Sequence, residues 1–392
     1  MGRVTVLGID GSLLSPQARA RLDAATLVAG GERHLAALGV HDGMVIGDVR
    51  AVAHAAHEHD GEAVVLSSGD PGLFGPIRVL RSEGVEPDVV PAVSSIALAF
   101  ARAGLPWDDA VVASAHGRHL KLAVNACKAH PKVAVLTAPG AGPAELGAAL
   151  TGHRRQLFVA EDLGTPRERC TWLTPAQASE RATWSALNIV LSVDLERAIA
   201  SDRGWLAGRG QPEGWALPDE AFAHRDGMLT KAEVRALVLA RLGPRLGDLV
   251  WDVGAGSGSV AVECARLGAA VVAVERGSTE QIEANAATHA VDLQVVQGAA
   301  PAVLAGLPDP DAVFVGGGGA DVAAIIRASV ARGPRIVVVA LAALDRLSDV
   351  QQALSTYIVD GVQLSAARLR PLGTATGLAA TNPVLVLWGT RQ

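Results

Sequence analysis

The run Leu249-Val-Trp-Asp-Val-Gly-Ala-Gly-Ser-Gly258 decides how this chain folds. Apolar residues lead to Asp252, the chain breaks at once into Gly254-x-Gly256-x-Gly258, and Ser259–Leu267 then carries small and apolar residues at helical spacing. A strand, a glycine turn and a helix in this order form the entrance of a nucleotide-binding α/β unit. The glycines let backbone approach a ligand where a Cβ would collide, and the helix that follows opens with free N–H groups. A dinucleotide fold spaces its glycines as G-x-G-x-x-G, but Ser259 stands where the third belongs and Gly258 comes one step early. With no pyrophosphate to cradle, the spacing fits S-adenosylmethionine better, its amino-acid end lying over the turn Gly254-Ala255-Gly256-Ser257-Gly258. Glu275 ends the next apolar run about twenty residues on, where an acid can accept ribose hydroxyls.

Downstream of this unit, apolar runs begin at Leu293, Ala312 and Ile336, with helical patterns between them, and Val362–Leu369 and Pro383–Trp388 read as a closing antiparallel pair. Seven strands, the last two a hairpin, is the architecture of class I methyltransferases. Upstream, Thr230 is placed to cap a helix over Lys231–Leu242, with Glu233 at its third position. Residues 196–222 are rich in glycine and proline yet hold Trp205 and Trp215, which predicts an ordered linker packed across one domain. The first half alternates β and α patterns and reads as two sub-lobes, roughly 1–106 and 107–195, with a cleft between them. Ser67-Ser68-Gly69-Asp70-Pro71-Gly72 ends one strand there, and Val89-Val90-Pro91-Ala92-Val93-Ser94-Ser95 ends another. Such turns at the carboxyl ends of strands are where open α/β sheets bind ligands, although a tight turn and a helix cap explain them equally well.

The chain has 392 residues, of which 49% are hydrophobic and only 3% aromatic, so it is long enough for two or three α/β domains packed through small side chains. A net charge of −6 without a basic run argues against a nucleic-acid partner. The three cysteines, Cys127, Cys170 and Cys264, make neither a disulfide framework nor a metal spacing. His54, His57 and His59 sit on a predicted helix end without a second ligand cluster, so no metal site is expected. No signal peptide and no apolar run of membrane-spanning length is evident, and a cytoplasmic location is expected.

Taken together, these motifs resemble the precorrin-6Y C5,15-methyltransferases (decarboxylating), fused two-domain enzymes of cobalamin synthesis. SSGDPGLFG, VPAVSSIALAFARAGLPW and SAHGR resemble the class III tetrapyrrole methyltransferases, in their carbon-5 branch. LPDEAFAHRDGMLTKAEVRAL leading into WDVGAGSGSVAVE resembles the carbon-15 methyltransferase and decarboxylase. The resemblance implies a class III domain over 1–195, the linker 196–222 and a class I seven-stranded Rossmann-like domain over 223–392, each domain holding its own S-adenosylmethionine. It further implies methylation of a reduced precorrin at carbons 5 and 15 with loss of the ring C acetate carboxyl. Position by position, it assigns cofactor contacts to Gly69, Asp70, Pro71, Ser94 and Ser95 in the first domain. In the second they fall on Thr230, the Gly254–Gly258 turn, Glu275 and Ala300. Two departures stand out: the loop Gly8-Ile9-Asp10-Gly11 is short, and Ala299 replaces a frequent aspartate.

No catalytic acid or base is assigned; His116 is the one candidate, set against a structural role beside a glycine turn. The reduced macrocycle is nucleophilic at both carbons, so orientation is the protein's main task. Because the chain is acidic, substrate carboxylates must meet local cations, for which Arg225, Lys231 and Arg235 are the candidates. A homo-oligomer is expected. The rival readings are another S-adenosylmethionine-dependent methyltransferase, an RNA methyltransferase among them, a non-catalytic S-adenosylmethionine-binding scaffold, and an NAD-dependent oxidoreductase, against which the glycine spacing speaks.

Overall fold

Short valine- and leucine-rich runs bounded by glycine, proline and capping residues give two successive sets of strands and helices. The computed structural model describes residues 2–115, 120–199, 208, 214–224 and 229–391, so His116 and Arg225 lie outside the described residues. The chain divides into two compact units, Met1–Arg118 with Lys132–Trp205, and His119–Pro131 with Leu206–Gln392.

In the first unit, β1 (Val4–Ile9), β2 (Leu27–Gly30), β3 (Met44–Val45), β4 (Ala63–Ser68) and β5 (Asp88–Val90) form a sheet in the order β3-β2-β4-β1-β5. All its pairings are parallel. Strands β1 and β4 are buried on both faces along most of their length, which is why their sequences run apolar without alternation. Ser15 caps helix Pro16–Asp23: its hydroxyl accepts from Ala18 N–H, with Pro16 in the first turn. A second sheet combines β6 (Val111–Ser114), β7 (Lys132–Leu136), β8 (Gln156–Glu161), β9 (Arg169–Leu173) and β10 (Asn188–Val193) in the order β6-β7-β10-β8-β9. Only β6 and β7 run parallel in it. Helix Ser95–Ala103 leaves the first sheet and buries Ile96, Ala99 and Phe100 against Phe158, Ile189 and Leu191 of the second.

The second unit holds a seven-stranded sheet of β11 (Leu249–Val253), β12 (Ala270–Glu275), β13 (Gln294–Gln297), β14 (Ala312–Val315), β15 (Ile336–Leu341), β16 (Ile358–Leu364) and β19 (Val384–Thr390). The order is β13-β12-β11-β14-β15-β19-β16, with β19 antiparallel to both neighbours. Successive side chains serve opposite layers. Trp251, Val272, Val313 and Val337 pack with Ile325, Ile326 and Val350 on one face. Val250, Val271, Ala312 and Val338 pack with Val238, Leu242, Val260 and Cys264 on the other. Helix Leu120–Ala129 also groups with this unit: Lys121 Nζ lies 2.7 Å from Asp311 Oδ1, and Asn125 Nδ2 donates to the Gly247 carbonyl at 2.9 Å. The sequence reading had placed this segment in the second sub-lobe of the first half.

Two expectations are corrected. The closing pair is β16 with β19, and between them stands a separate hairpin of β17 (Ala367–Leu372) and β18 (Ala375–Ala380), turned at Gly373. The sequence reads Val362–Leu369 as one strand, whereas β16 ends at Leu364 and β17 starts at Ala367, and most residues of the hairpin are exposed. Helix Ala232–Leu242 is not capped by Thr230. Its N-cap is Lys231, which offers no side-chain bond, and Asp219 Oδ1 accepts the Ala232 N–H at 2.9 Å instead.

Asp219 belongs to a buried charge cluster that also corrects the reading of Arg235. Arg235 is wholly buried, not facing a ligand. Its Nη1 donates to the Thr230 carbonyl at 2.5 Å, its Nη2 donates to the Leu217 carbonyl, and its Nε lies 3.5 Å from Glu263 Oε1. The guanidinium covers the Phe222 ring at 4.6 Å. Glu263 Oε1 in turn accepts the Leu217 N–H at 2.6 Å. Arg368 on β17 binds Asp219 at 2.8 Å and Glu233 through two bonds of 2.9 and 2.7 Å. One cluster thus ties Leu217 and Asp219, two helices and the hairpin together. Removing one member of a buried pair strands its partner in low dielectric, at about 3–5 kcal/mol. Arg235→Met should therefore lower the stability of the full chain by about that amount in denaturant titrations; a change below about 1 kcal/mol would show that the cluster contributes nothing net.

In the first unit His34 is buried, and burial first, Arg33 second, pulls its pKa down from 6.5 to about 4. The unfolded chain therefore binds a proton that the folded chain refuses between about pH 6.5 and 4, so stability falls as pH drops through that window. His34→Gln should flatten this fall, read as the difference in denaturant midpoint between pH 7.5 and pH 4.5. An unchanged slope would mean that His34 charges freely in the folded protein.

Candidate functional site

In the second unit the loops at the carboxyl ends of β11, β12, β13 and β14 converge. Gly254 opens the turn after β11 with a φ of 76°, and a Cβ there would stand 2.9 Å from the Gly317 nitrogen. Only glycine allows that approach. The Gly254 and Ala255 N–H groups donate to the Val274 carbonyl at 2.9 and 3.1 Å. Glu275, at the end of β12, accepts the Gly256 N–H at 2.9 Å through Oε2 and the Gly277 N–H at 2.8 Å through Oε1. Both oxygens keep lone pairs for a second donor. Ser257 is buried in the same turn, and its carbonyl accepts from Asn285 Nδ2 at 2.8 Å. That amide also donates to the Ala223 carbonyl at 2.8 Å, fastening the segment ahead of Thr230. Ala300 follows β13 and packs against the sheet core.

Asp252 lies one residue before the strand end, almost wholly buried. Its Oδ2 accepts the Ala261 N–H at 2.9 Å, and among the described residues its Oδ1 has no partner. Burial pushes its pKa up to about 7, with the charge of Glu275 adding to the effect. An orphaned carboxylate oxygen, a turn closed to any Cβ and an acid on the neighbouring strand match the ammonium, amino-acid chain and ribose of S-adenosylmethionine.

The run Gly316–Gly319 belongs to the same end of the sheet and was missed in sequence; four glycines after an apolar run were the available signal. The Gly316 N–H donates to the Val253 carbonyl at 3.0 Å, beside the turn. Of the proposed carboxylate ligands, Lys231 keeps a half-exposed side chain 3.4 Å from Asp219 Oδ2. Arg235 is spent inside the core, and Arg225 is outside the described residues. Thr230 contributes its carbonyl to Arg235.

A second constellation occupies the carboxyl ends of β4, β1 and β5, adjacent in the first sheet. Gly8 sits where a Cβ would be 2.2 Å from the Gly69 carbonyl oxygen and 2.4 Å from the Ala92 nitrogen, so all three turns meet at one point. The Gly69 N–H donates to the Ile9 carbonyl at 2.7 Å. Asp70 Oδ1 accepts the Gly72 N–H at 2.8 Å and shapes the turn around Pro71. Ser94 caps helix Ser95–Ala103 by accepting the Ala97 N–H at 3.1 Å, and Ser95 is the first helical residue. The short first loop is held by Asp10, which accepts the Val93 N–H at 3.2 Å and the Ser12 N–H at 3.0 Å. Its far side touches the other sub-lobe, a Cβ on Gly11 standing 2.2 Å from the Gly164 carbonyl oxygen. Phe74, at a φ of 55°, is exposed beside these turns, a strained position of the kind found at ligand sites. Among the described residues no group of three His, Cys, Asp or Glu side chains is placed to hold a metal, and no helix is long and apolar enough to cross a membrane.

Comparison with known proteins finds a different methyltransferase family on each half of the chain. Residues 7–178 match the tetrapyrrole (corrin/porphyrin) methylase family, and residues 220–391 match a precorrin methyltransferase domain family. A precorrin-6Y C(5,15)-methyltransferase [decarboxylating] from Sinorhizobium is 34% identical, over 97% of this chain and 94% of its own. A probable cobalt-precorrin-6B C(15)-methyltransferase (decarboxylating) from Pyrobaculum calidifontis is 39% identical, over 44% of this chain and 93% of its own. A cobalt-precorrin-7 C(5)-methyltransferase from Salmonella typhimurium is 33% identical, over 43% of this chain and 90% of its own. With similarity running from end to end and both domain types in one polypeptide, the chain belongs to the precorrin-6Y C(5,15)-methyltransferase (decarboxylating) family.

Proposed function

We propose that this chain methylates a reduced precorrin at carbons 5 and 15 and removes the carboxyl of its ring C acetate, with one S-adenosylmethionine bound in each half. The observation that carries the reading is the presence of two separate strand-end constellations, each closed to a Cβ at its centre, on two sheets of different topology. The first is assigned to carbon 5 and residues 1–195. The second is assigned to carbon 15 and the decarboxylation, over residues 223–392, with 196–222 as the connection, which lies largely outside the described residues.

S-adenosylmethionine supplies an electrophilic methyl when bound; the chain's own residues bind and orient. At the second site Glu275 is positioned for the ribose hydroxyls, the Gly254–Gly258 turn for the amino-acid chain and Asp252 for its ammonium. At the first, the turns at Gly69–Pro71 and Ser94–Ser95 enclose the cofactor. The macrocycle carbons are already nucleophilic, so holding carbon, methyl and sulfur in line is worth several orders of magnitude without a protein nucleophile. In the decarboxylation the conjugated macrocycle is the electron sink, and the protein holds the acetate, with Lys231 and Arg225 as candidate carboxylate ligands. His116 is the candidate for proton handling at the first site. The antiparallel β19 within the second sheet favours this reading over a dinucleotide oxidoreductase, whose six strands run parallel.

We also infer a cytoplasmic, self-associating protein that binds no nucleic acid. Self-association is supported by the exposed leucines of the β17–β18 hairpin, Leu369, Leu372 and Leu378, and light scattering on the full chain tests it.

Incubation with the reduced tetrapyrrole and methyl-labelled S-adenosylmethionine should add two methyl groups and release one CO₂, read by mass analysis. Cofactor binding without turnover would point to a scaffold instead. Calorimetry should find two cofactor sites per chain, and Gly256→Val, which places a branched side chain at a φ of 55°, should leave one. Loss of both sites in a folded variant would mean that the halves share a single site.

A further inference from the structure

The geometry points to Arg33, presented by Ser68, as the residue that binds a peripheral carboxylate of the tetrapyrrole at the first site, a reading that rests on the function proposed above. Arg33 stands in helix Glu32–Ala37, which follows β2, the strand paired with β4. Its Nη2 donates to Ser68 Oγ at 2.6 Å. Ser68 is the last residue of β4, so the guanidinium lies one residue from Gly69 and the turn that closes the first constellation. The same hydroxyl lies 3.3 Å from His34 Nε2, and the buried His34 fixes its position.

The charge state of this group separates it from other arginines of the chain. Arg235 is wholly buried among acids, and Arg169 and Arg181 both pair with Glu161 at 3.0 Å. Among the described residues no carboxylate lies within ion-pair distance of Arg33. The acid that acts on it is Asp162, from farther away, on the loop after β8. That loop also carries Gly164, which meets Gly11 across the two sub-lobes. Arg33 is thus exposed at the mouth between the sub-lobes, with enough protein around its head for burial to lower its pKa. A serine hydroxyl accepts one N–H without neutralising the cation, so the rest of the planar donor fork is left for an incoming anion. His34, kept neutral by burial and by Arg33 itself, anchors the serine without adding a second charge. In a chain of net charge −6, such a cation beside a cofactor turn is what a polycarboxylate substrate requires.

The test uses the full chain with Arg33→Met, Arg33→Lys and Ser68→Ala, following labelled methyl transfer at each carbon against precorrin concentration. A charge-assisted bond to carboxylate corresponds to roughly ten- to a hundred-fold in affinity. Arg33→Met should raise KM for carbon-5 methylation by about that factor, with kcat changed less than about three-fold. Arg33→Lys should recover part of the loss, and Ser68→Ala should give a smaller loss of the same kind. S-adenosylmethionine affinity, carbon-15 methylation and decarboxylation should stay at the wild-type level, which a global folding defect would not allow. An unchanged carbon-5 KM overturns the proposal. So does an equal loss of cofactor affinity, which would place the cofactor's own carboxylate on Arg33. If the wild-type chain methylates no precorrin at carbon 5, the functional reading itself fails, and the proposal with it.

Discussion

Both sites depend on backbone packed against backbone at the ends of parallel strands. In the second unit the turn after β11 lies against Gly317 of the β14 loop; in the first, Gly8 lies against Gly69 and Ala92. Neither contact leaves room for a Cβ. Bringing neighbouring loops this close turns N–H groups and strand-end acids toward one point, and a ligand can then touch main chain over several residues. The two sheets have different strand orders, yet the loops at one end of each are brought together by the same steric means.

The distribution of charge divides along similar lines. Inside the second unit, Arg235, Glu263 and Asp219 hold a linker segment, two helices and a hairpin through ion pairs and bonds to backbone groups. The cost of desolvating such groups is large, and it is met only because backbone carbonyls and N–H groups complete the set. In the first unit the opposite arrangement prevails: Arg33 is held by a hydroxyl, with Asp162 acting on it only from farther away. The first arrangement stabilises the fold, and the second leaves electrostatic attraction for a ligand.

Much of this was legible in the sequence. The spacing of Gly254, Gly256 and Gly258 and the acid at Glu275 determined a strand-turn-helix with an acid beside its turn, because steric freedom and hydrogen-bonding capacity are local properties. The apolar runs gave the parallel strands of the seven-stranded sheet, and Ser94 announced the helix it caps. Hairpin β17–β18 escaped because β17 starts only two residues after β16 ends, so the two read as one apolar run. The quartet Gly316–Gly319 escaped because a glycine run reads as a loop until its strand is placed beside another.

What only the tertiary structure decided is the role of each charge. Arg33, Lys231 and Arg235 are alike in sequence: a cation near a helix start, close to a motif. Burial and partners separate them, and both depend on residues far away in the chain, Glu263 and Leu217 for Arg235, Ser68 for Arg33. Likewise Thr230 has the sequence of a cap, while the cap bond comes from Asp219, thirteen residues before Ala232. Local sequence determines which groups can donate, accept or turn; whether a charge faces solvent, a ligand or another charge is set by the packing of distant segments, since the dielectric around it is a property of the whole fold.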